Sequence, residues 1–530
     1  MNFQSIINDL KKYGRTDIMS GFIVFLIALP LCVGIAVASG APPTSGLIAG
    51  IIGGIVASIF GGSYVTINGP AAGLIVIVLG AIDGLGDGNN LLGFKRMLAC
   101  LVVVGVLQIL MGIWKKGFLG RLFPASVIHG MMTAIGIIII SKQIYILTGA
   151  TPHSKTPWEL ILEIPNGIAS LNPEIFLIGG SAMLVLIFFQ ISKWKFMKKL
   201  PAPLFAVLIG ILLEEFFHLR TNQVYTFMGT EYTVGPKFLV QIPDSLSSAI
   251  IFPDFSVINR FEFWFHTGMI FFIASLESLL SAQAVDQLDP LQRRTDMDKE
   301  LIGKGIANTL LGAIGGFPII AEIVRSKANI ENGGRSIWSN FFHGIFLLVF
   351  LLLIPDLLRL IPMASLAAIL VLIGWRLASH KEFIHIYKKG PEQLIVFITT
   401  IAFTLVVDLL FGILMGILVK ILIQVISGVN VKQIFTLDWS YSNKESWTIR
   451  SPLLFSNSFG FLKSLEEESQ NGNNKFTLDF NQCNYIDHTS MEAIYAIINR
   501  CEQSGVNFDI IWGNLNQNTE YKTSVRRHSK

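Results

Sequence analysis

Charge is scarce in this chain. Only 14% of its 530 residues are Asp, Glu, Lys or Arg, while 52% are hydrophobic and the mean hydropathy is +0.59. Ordinary soluble domains carry about 25% charged residues, so the composition excludes that class and predicts a polytopic membrane protein, with the lipid bilayer as its solvent. A net charge of +4 leaves no electrostatic footprint for a nucleic-acid partner. Cysteine is nearly absent too: Cys32, Cys100, Cys483 and Cys501 stand apart, with no CxxC or zinc spacing, which excludes a disulfide framework. The sequence has no HExxH, no P-loop and no nucleophile elbow with partners, so no enzyme, catalytic residue, metal or cofactor is expected. The first apolar run follows Lys11, Lys12 and Arg15 and lacks a small-residue cleavage site, so no removable signal peptide is expected.

Apolar runs, by contrast, fill most of the chain. A full transmembrane helix needs about 20 apolar residues, and counting half-length runs as well predicts about fourteen segments between residues 20 and 429. Two of them, 69–82 and 318–329, are short, and they open on Gly69-Pro70 and on Gly315-Gly316-Phe317-Pro318. Proline suits the first turn of a helix, where its missing N–H would have had no partner, so each short segment is expected to start at its turn. They fall third in each set of seven and about 245 residues apart, the pattern of a 7+7 inverted repeat whose half-helices meet near the bilayer midplane. Positive loops stay cytoplasmic. Arg293, Arg294 and Lys299, with Arg376, Lys381, Lys388 and Lys389, then place both termini on the cytoplasmic side of a plasma (inner) membrane.

The composition changes after residue 429. Phe476, Leu478 and Phe480 alternate as in a strand, Met491, Ile494, Tyr495 and Ile498 recur at helical spacing, and Phe508, Ile510 and Trp512 alternate again. The expected organisation is a cytoplasmic N-terminal segment (1–19), a mainly α transporter domain (20–429), a small cytoplasmic α/β unit (430–513) and a disordered polar tail (514–530).

Four stretches carry a family resemblance. ALPLCVGIAVASGAPPTSGLIAGIIGGIVASIFGGSYVTINGPAAG (Ala28 to Gly73) resembles the opening of the sulfate permease (SulP) superfamily, and GGFPIIAEIVRSKANIENGGRS (Gly315 to Ser336) resembles its tenth segment. TLVVDLLFGILMGILVKI (Thr404 to Ile421) is similar to its last helix, and NYIDHTSMEAI (Asn484 to Ile494) to the core turn of its STAS domain. The resemblance implies a core domain moving against a gate domain, a homodimer, and a small inorganic anion held between the starts of the third and tenth segments. Free backbone N–H groups and about half a positive charge at each helix start give that position its physical sense. On this reading the amides of Ala71, Ala72 and Gly73 oppose those of Ile319, Ile320 and Ala321. The small residues at 71–73 serve close ligand approach or plain helix packing equally well.

An ionisable group within a span costs roughly 2.5–3.5 kcal/mol, so each one asks for a reason. Glu277, midway along its segment, matches the family's acidic residue near the anion, and a carboxylate there repels an anion unless a proton or cation accompanies it. Glu277 is therefore the candidate ion-coupling group, with Ser278 and Ser281 as possible oxygen ligands; the competing reading is a protonated or Arg-paired structural residue. Arg325 matches the family's arginine, and helical spacing lets it pair with Glu322 or reach Glu277. Glu322, where better-known members carry small or hydroxyl residues, is either a second coupling group or a counter-ion for Arg325. Leu31 and Ile35 replace the polar and aromatic residues of many relatives, so side-chain recognition does not carry over. Asp408 is expected to cap a helix. His488 stands where soluble STAS relatives carry the phosphorylated serine, which argues against a phospho-switch. Together these readings predict a secondary active carrier of sulfate or bicarbonate coupled to Na+ or H+, with an uncoupled anion channel or chloride exchanger as the alternative.

Overall fold

A computed structural model describes residues 3–115, 117, 124–154, 156–194, 197, 200–241, 249–442, 445–469, 475–503, 506–513, 515 and 526–527. The chain clusters into two compact units, residues 1–120 with 135–377, and residues 121–134 with 378–530.

The first unit is helical. In chain order it contains α1 (Phe3–Ala38), α2 (Pro43–Phe60), β1 (Ile67–Gly69), α3 (Ile75–Leu85), α4 (Asn90–Ile113) and α5 (Ala125–Thr148), which joins this unit from Ile135. Next come α6 (Pro157–Ala169), α7 (Pro173–Ile191), α8 (Ala202–Phe217) and a hairpin of β2 (Gln223–Phe227) and β3 (Thr230–Val234). The unit ends with α9 (Phe261–Leu288), α10 (Met297–Ile314), β4 (Ile320–Glu322), α11 (Ile323–Glu331), α12 (Ile337–Leu353), α13 (Pro355–Arg359) and α14 (Met363–Leu377). Among the described residues of the whole chain, eight helices are long and apolar enough to cross a membrane, and Ala72–Leu85, Ile337–Leu353 and Pro391–Val406 are shorter apolar helices.

Glycine sets how closely these helices approach. A Cβ on Gly54 of α2 would lie 2.5 Å from the Gly344 Cα of α12, and one on Gly305 of α10 would lie 2.6 Å from the Gly105 carbonyl oxygen of α4. In lipid such small-residue contacts replace the hydrophobic effect as the source of helix association. Glu300 of α10 pairs with the buried Lys304 one turn on and accepts from the Gly62 and Ser63 amides at 3.0 and 3.2 Å, which anchors the turn leading into β1.

Both short segments start later than their proline turns predict. Ala71 is extended (φ −126°, ψ 150°), a 3-10 turn covers Ala72–Leu74, and α3 begins only at Ile75. The second shift is larger. Residues 320–322 form β4, which pairs antiparallel with β1 in the register Ile67 to Glu322, Asn68 to Ala321 and Gly69 to Ile320, and α11 begins at Ile323. Two adjacent β-branched residues, Ile319 and Ile320, favour the extended form, and the ladder to β1 satisfies backbone groups that lipid could not.

The second unit holds the start of α5 with α15 (His380–Lys389), α16 (Pro391–Val406), α17 (Leu409–Ile426) and α18 (Val431–Phe435), followed by an α/β assembly. Its sheet, in the order β5 (Trp439–Ser442), β6 (Ser446–Ile449), β7 (Lys475–Asp479), β9 (Asn507–Ile511), is antiparallel at the first pair and parallel at the other two. The helices α19 (Phe459–Glu468) and α20 (His488–Gln503) cover it around a core of Trp447, Phe461, Phe476, Leu478, Met491 and Ile494. The strand, helix and strand read from the sequence correspond to β7, α20 and β9. The short β8 (Tyr485–Ile486) pairs with β10 (Arg526–Arg527). The expected tail, 514–530, otherwise lies outside the described residues except for Leu515. Asp408 caps α17 as expected, accepting from the Phe411 amide at 2.8 Å.

The turn at Asp487-His488-Thr489 is built into this unit by polar contacts. Asp487 accepts from Gln424 of α17 at 3.1 Å and from the Phe455 amide at 2.9 Å, and Thr489 accepts from the Ala125 amide of α5 at 3.2 Å. His488 lies 3.1 Å from Glu492, which also meets Lys389 of α15 at 2.6 Å. Burial alone would raise the Glu492 carboxyl, but His488 and Lys389 outweigh it and hold it down, from 4.5 to about 2. A depressed carboxyl stabilises fully above its unfolded value and loses that contribution as pH falls through its folded value. Glu492→Gln should therefore cost about 1–3 kcal/mol at neutral pH by leaving the Lys389 ammonium uncompensated. In detergent-solubilised protein the melting-temperature gap to wild type should close as pH drops from about 4.5 towards 2; a gap that is constant with pH would contradict the charge argument.

Candidate functional site

The ladder of β1 and β4 brings two distant segments together, and the charged residues singled out in the sequence gather around it. Arg325, in the first turn of α11, is 1% exposed; its guanidinium donates to the Pro70 carbonyl, lies 3.7 Å from Cys32 Sγ of α1, and pairs with Glu322 at 3.5 Å. A Cβ on Gly69 would lie 2.6 Å from that guanidinium. Glycine at 69 is thus what lets the arginine cross the strand. Between the two partners the sequence left open, the recorded ion pair is with Glu322.

Glu277 comes from the middle of α9 and is 6% exposed. Its carboxylate occupies the space that a Cβ on Gly73 would need, so it lies directly against the 3-10 turn. Among the described residues Glu277 Oε1 has no hydrogen-bond partner, and neither has the buried Ser278 Oγ. Ser281, one turn on from Glu277 and therefore on the same face, is buried as well. The 69–73 turn is thereby bracketed, with a guanidinium at its first residues and a carboxylate at its last.

The expected set of opposed amides needs correction on one side. At 71–73 the 3-10 turn closes with the Leu74 amide on the Ala71 carbonyl at 3.1 Å, so the Ala72 and Gly73 amides precede the first internal bond. On the other side Ile319, Ile320 and Ala321 do not open a helix. The Ile319 amide donates to Asn308 Oδ1 of α10 at 2.9 Å, and Ile320 and Ala321 belong to β4. The open donors of α11 belong instead to its first turn, Ile323 to Arg325.

Several contributing residues escaped the sequence reading. Cys32 holds Arg325, Asn308 holds Ile319, and Asn340 of α12 accepts from the Asn68 amide of β1 at 3.2 Å while donating to Gly53 O at 3.1 Å. Amides in apolar helices are costly to bury without partners, which is the signal that could have picked them out. Leu31 and Ile35 are buried apolar residues of α1.

This fold, with buried charges around a strand pair inside a helical body and an α/β C-terminal unit, defines an integral membrane protein of the transporter class. The chain belongs to the Sulfate permease family, whose profile matches residues 15–400, and it carries a STAS domain at 447–511. YvdB of Bacillus subtilis is 28% identical over 93% of this chain and 90% of its own length. The "Bicarbonate transporter BicA" of Picosynechococcus sp. is 26% identical over 74% of this chain and 67% of its own. The murine Solute Carrier 26 family member A9 anion transporter, solved in the inward-facing state, shares the fold with a TM-score of 0.65 at 16% identity, over 97% of this chain and 88% of that one. The protein is a family transporter and not an enzyme.

Proposed function

We propose that this chain is a secondary active transporter of sulfate or bicarbonate, driven by a Na+ or H+ gradient, with the anion held at the 71–73 turn and the 319–325 segment. The family name supports sulfate, and the name of the relative BicA supports bicarbonate. One observation carries the coupling: a buried carboxylate, Glu277, abuts the same turn that Arg325 overlies. An anion entering beside that carboxylate is repelled unless a proton or Na+ binds with it, so anion and cation binding become linked through one site. In this reading Ala71, Ala72, Gly73 and Arg325 hold the anion, Ile319, Ile320 and Ala321 border it as the strand segment and not as a helix start, and Glu277, Ser278, Ser281 and Glu322 serve the coupling ion. The antiparallel β1 and β4 pair supports a 7+7 inverted repeat of about fourteen segments, since two such repeats bring their third segments together head to head. The proposal extends to a 20–429 transporter domain, a 430–513 STAS domain, cytoplasmic termini, a plasma (inner) membrane location and a homodimer.

One observation favours an uncoupled channel or chloride exchanger instead. Glu322 pairs with Arg325, which gives that carboxylate a structural task. Uptake of labelled sulfate and labelled bicarbonate into proteoliposomes, each with a Na+ gradient, a pH gradient or neither, separates the two. Accumulation of one anion under one gradient is the expected result. Equilibration without any gradient would establish the channel or exchanger.

A further inference from the structure

We propose that Gln108 and Asn308 are positioning residues that fix the Glu277 helix and the β4 strand at one separation. The inference rests on the reading that those two elements frame the anion. A single chain of side-chain hydrogen bonds runs between them. Ser275 lies two residues before Glu277 on α9, and its Oγ accepts from Gln108 Nε2 of α4 at 3.1 Å. Gln108 Oε1 accepts from Asn308 Nδ2 of α10 at 2.9 Å. Asn308 then grips the peptide groups just ahead of β4, accepting from the Ile319 amide at 2.9 Å and donating to the Ile319 carbonyl at 3.4 Å. Ser275, Gln108, Asn308 and Ile319 are all buried.

The relay is mounted on a stiff base. The α4 and α10 backbones touch: a Cβ on Gly305 would lie 2.6 Å from Gly105 O, and one on Gly312 would lie 2.7 Å from the Val102 amide. Gln108, one turn beyond Gly105, and Asn308, one turn beyond Gly305, therefore face each other across a contact with no slack. An amide is the residue type suited to this place, because each step needs a donor and an acceptor on one side chain, and neither charge nor hydroxyl supplies both at that reach. The β1 strand is held in a comparable way by Asn340, which accepts from the Asn68 amide at 3.2 Å. Each of the two paired strands is thus tied by a buried asparagine to a helix of the scaffold.

Positioning predicts a change in anion affinity at unchanged turnover. Purified Ser275→Ala, Gln108→Leu and the double variant are compared in proteoliposomes with labelled sulfate and labelled bicarbonate as probes, uptake being normalised to folded protein. Each single variant cuts the link between α9 and β4 and is expected to raise the apparent KM about fivefold, equivalent to about 1 kcal/mol of lost positioning. Vmax should stay within about twofold, and the double variant should be no worse than the weaker-binding single, because one chain can be cut only once. Ser275→Thr, which keeps the hydroxyl, should restore KM. Loss of Vmax at unchanged KM, or KM shifts that multiply in the double variant, would overturn the proposal. Glu277→Gln is measured alongside. If that variant keeps gradient-driven uptake, the site reading fails and the inference falls with it. If it loses uptake while Gln108→Leu leaves KM untouched, the inference alone is overturned.

Discussion

Glu277→Gln is expected to abolish gradient-driven anion accumulation, a loss of at least about a hundredfold in concentrative uptake, while the protein still folds and inserts. The size follows from the setting of the carboxylate. It lies against the Gly73 turn, is 6% exposed, and one of its oxygens has no hydrogen-bond partner among the described residues. A carboxylate buried in that way is unfavourable by several kcal/mol unless a proton or cation accompanies it. The amide has the same shape and removes the charge, so packing at Gly73 is preserved and only the need for the cation disappears. Coupling of this kind is a differential binding energy, and about 2.7 kcal/mol of it corresponds to a factor of a hundred. The measurement is labelled anion uptake under imposed Na+ and pH gradients, with exchange at zero gradient as control. Wild-type accumulation in the variant would show that Glu277 is structural.

How far the sequence led is clearest at the two short segments. Their proline turns and their spacing were legible, because proline geometry and hydropathy are local properties. The β1 and β4 ladder was not, since residues 67–69 and 320–322 owe their extended form to each other across about 250 positions. Propensity offers only a faint hint of it in the pair Ile319-Ile320. That one contact moved the start of α11 from Pro318 to Ile323, and the separate bond to Asn308 engages the Ile319 amide. Glu277 was readable because a charge in an apolar run stands out, and Arg325 because it matches the arginine of the resembled family. Gln108, Asn308 and Asn340 were not picked out, because an uncharged amide barely disturbs a hydropathy profile although its burial demands partners just as strictly. In the C-terminal unit the alternation of Phe476, Leu478 and Phe480 was enough to place β7. The contacts of Asp487 with Gln424 and of Glu492 with Lys389 depend on packing that no local pattern encodes.

Gly54→Val is expected to damage the helical framework severely, leaving little folded transporter. A Cβ at this position would lie 2.5 Å from Gly344 Cα, 2.7 Å from Gly344 N and 2.9 Å from Asn340 O, all of them backbone atoms of α12. No rotamer change can relieve contacts to backbone, so α2 and α12 must separate. Overpacking of a tight contact costs about 1–3 kcal/mol and occasionally more, and here separation also has a second consequence. Asn340, in the same stretch of α12, donates to Gly53 O at 3.1 Å and to Ser58 Oγ at 2.8 Å on α2 while accepting from Asn68 of β1. Moving α12 outward therefore strands buried amide groups and releases the strand that faces β4, adding about 1–3 kcal/mol for each polar group left unpaired. Gly268→Ala on α9, where an added Cβ meets no atom within 4 Å, is the matched control and should change the melting temperature little. Thermal unfolding of the two variants in detergent decides the matter, with a fall of more than about 10 °C expected for Gly54→Val alone. Equal melting temperatures would mean that α2 and α12 tolerate separation, and that the close glycine contact does not hold β1 in place.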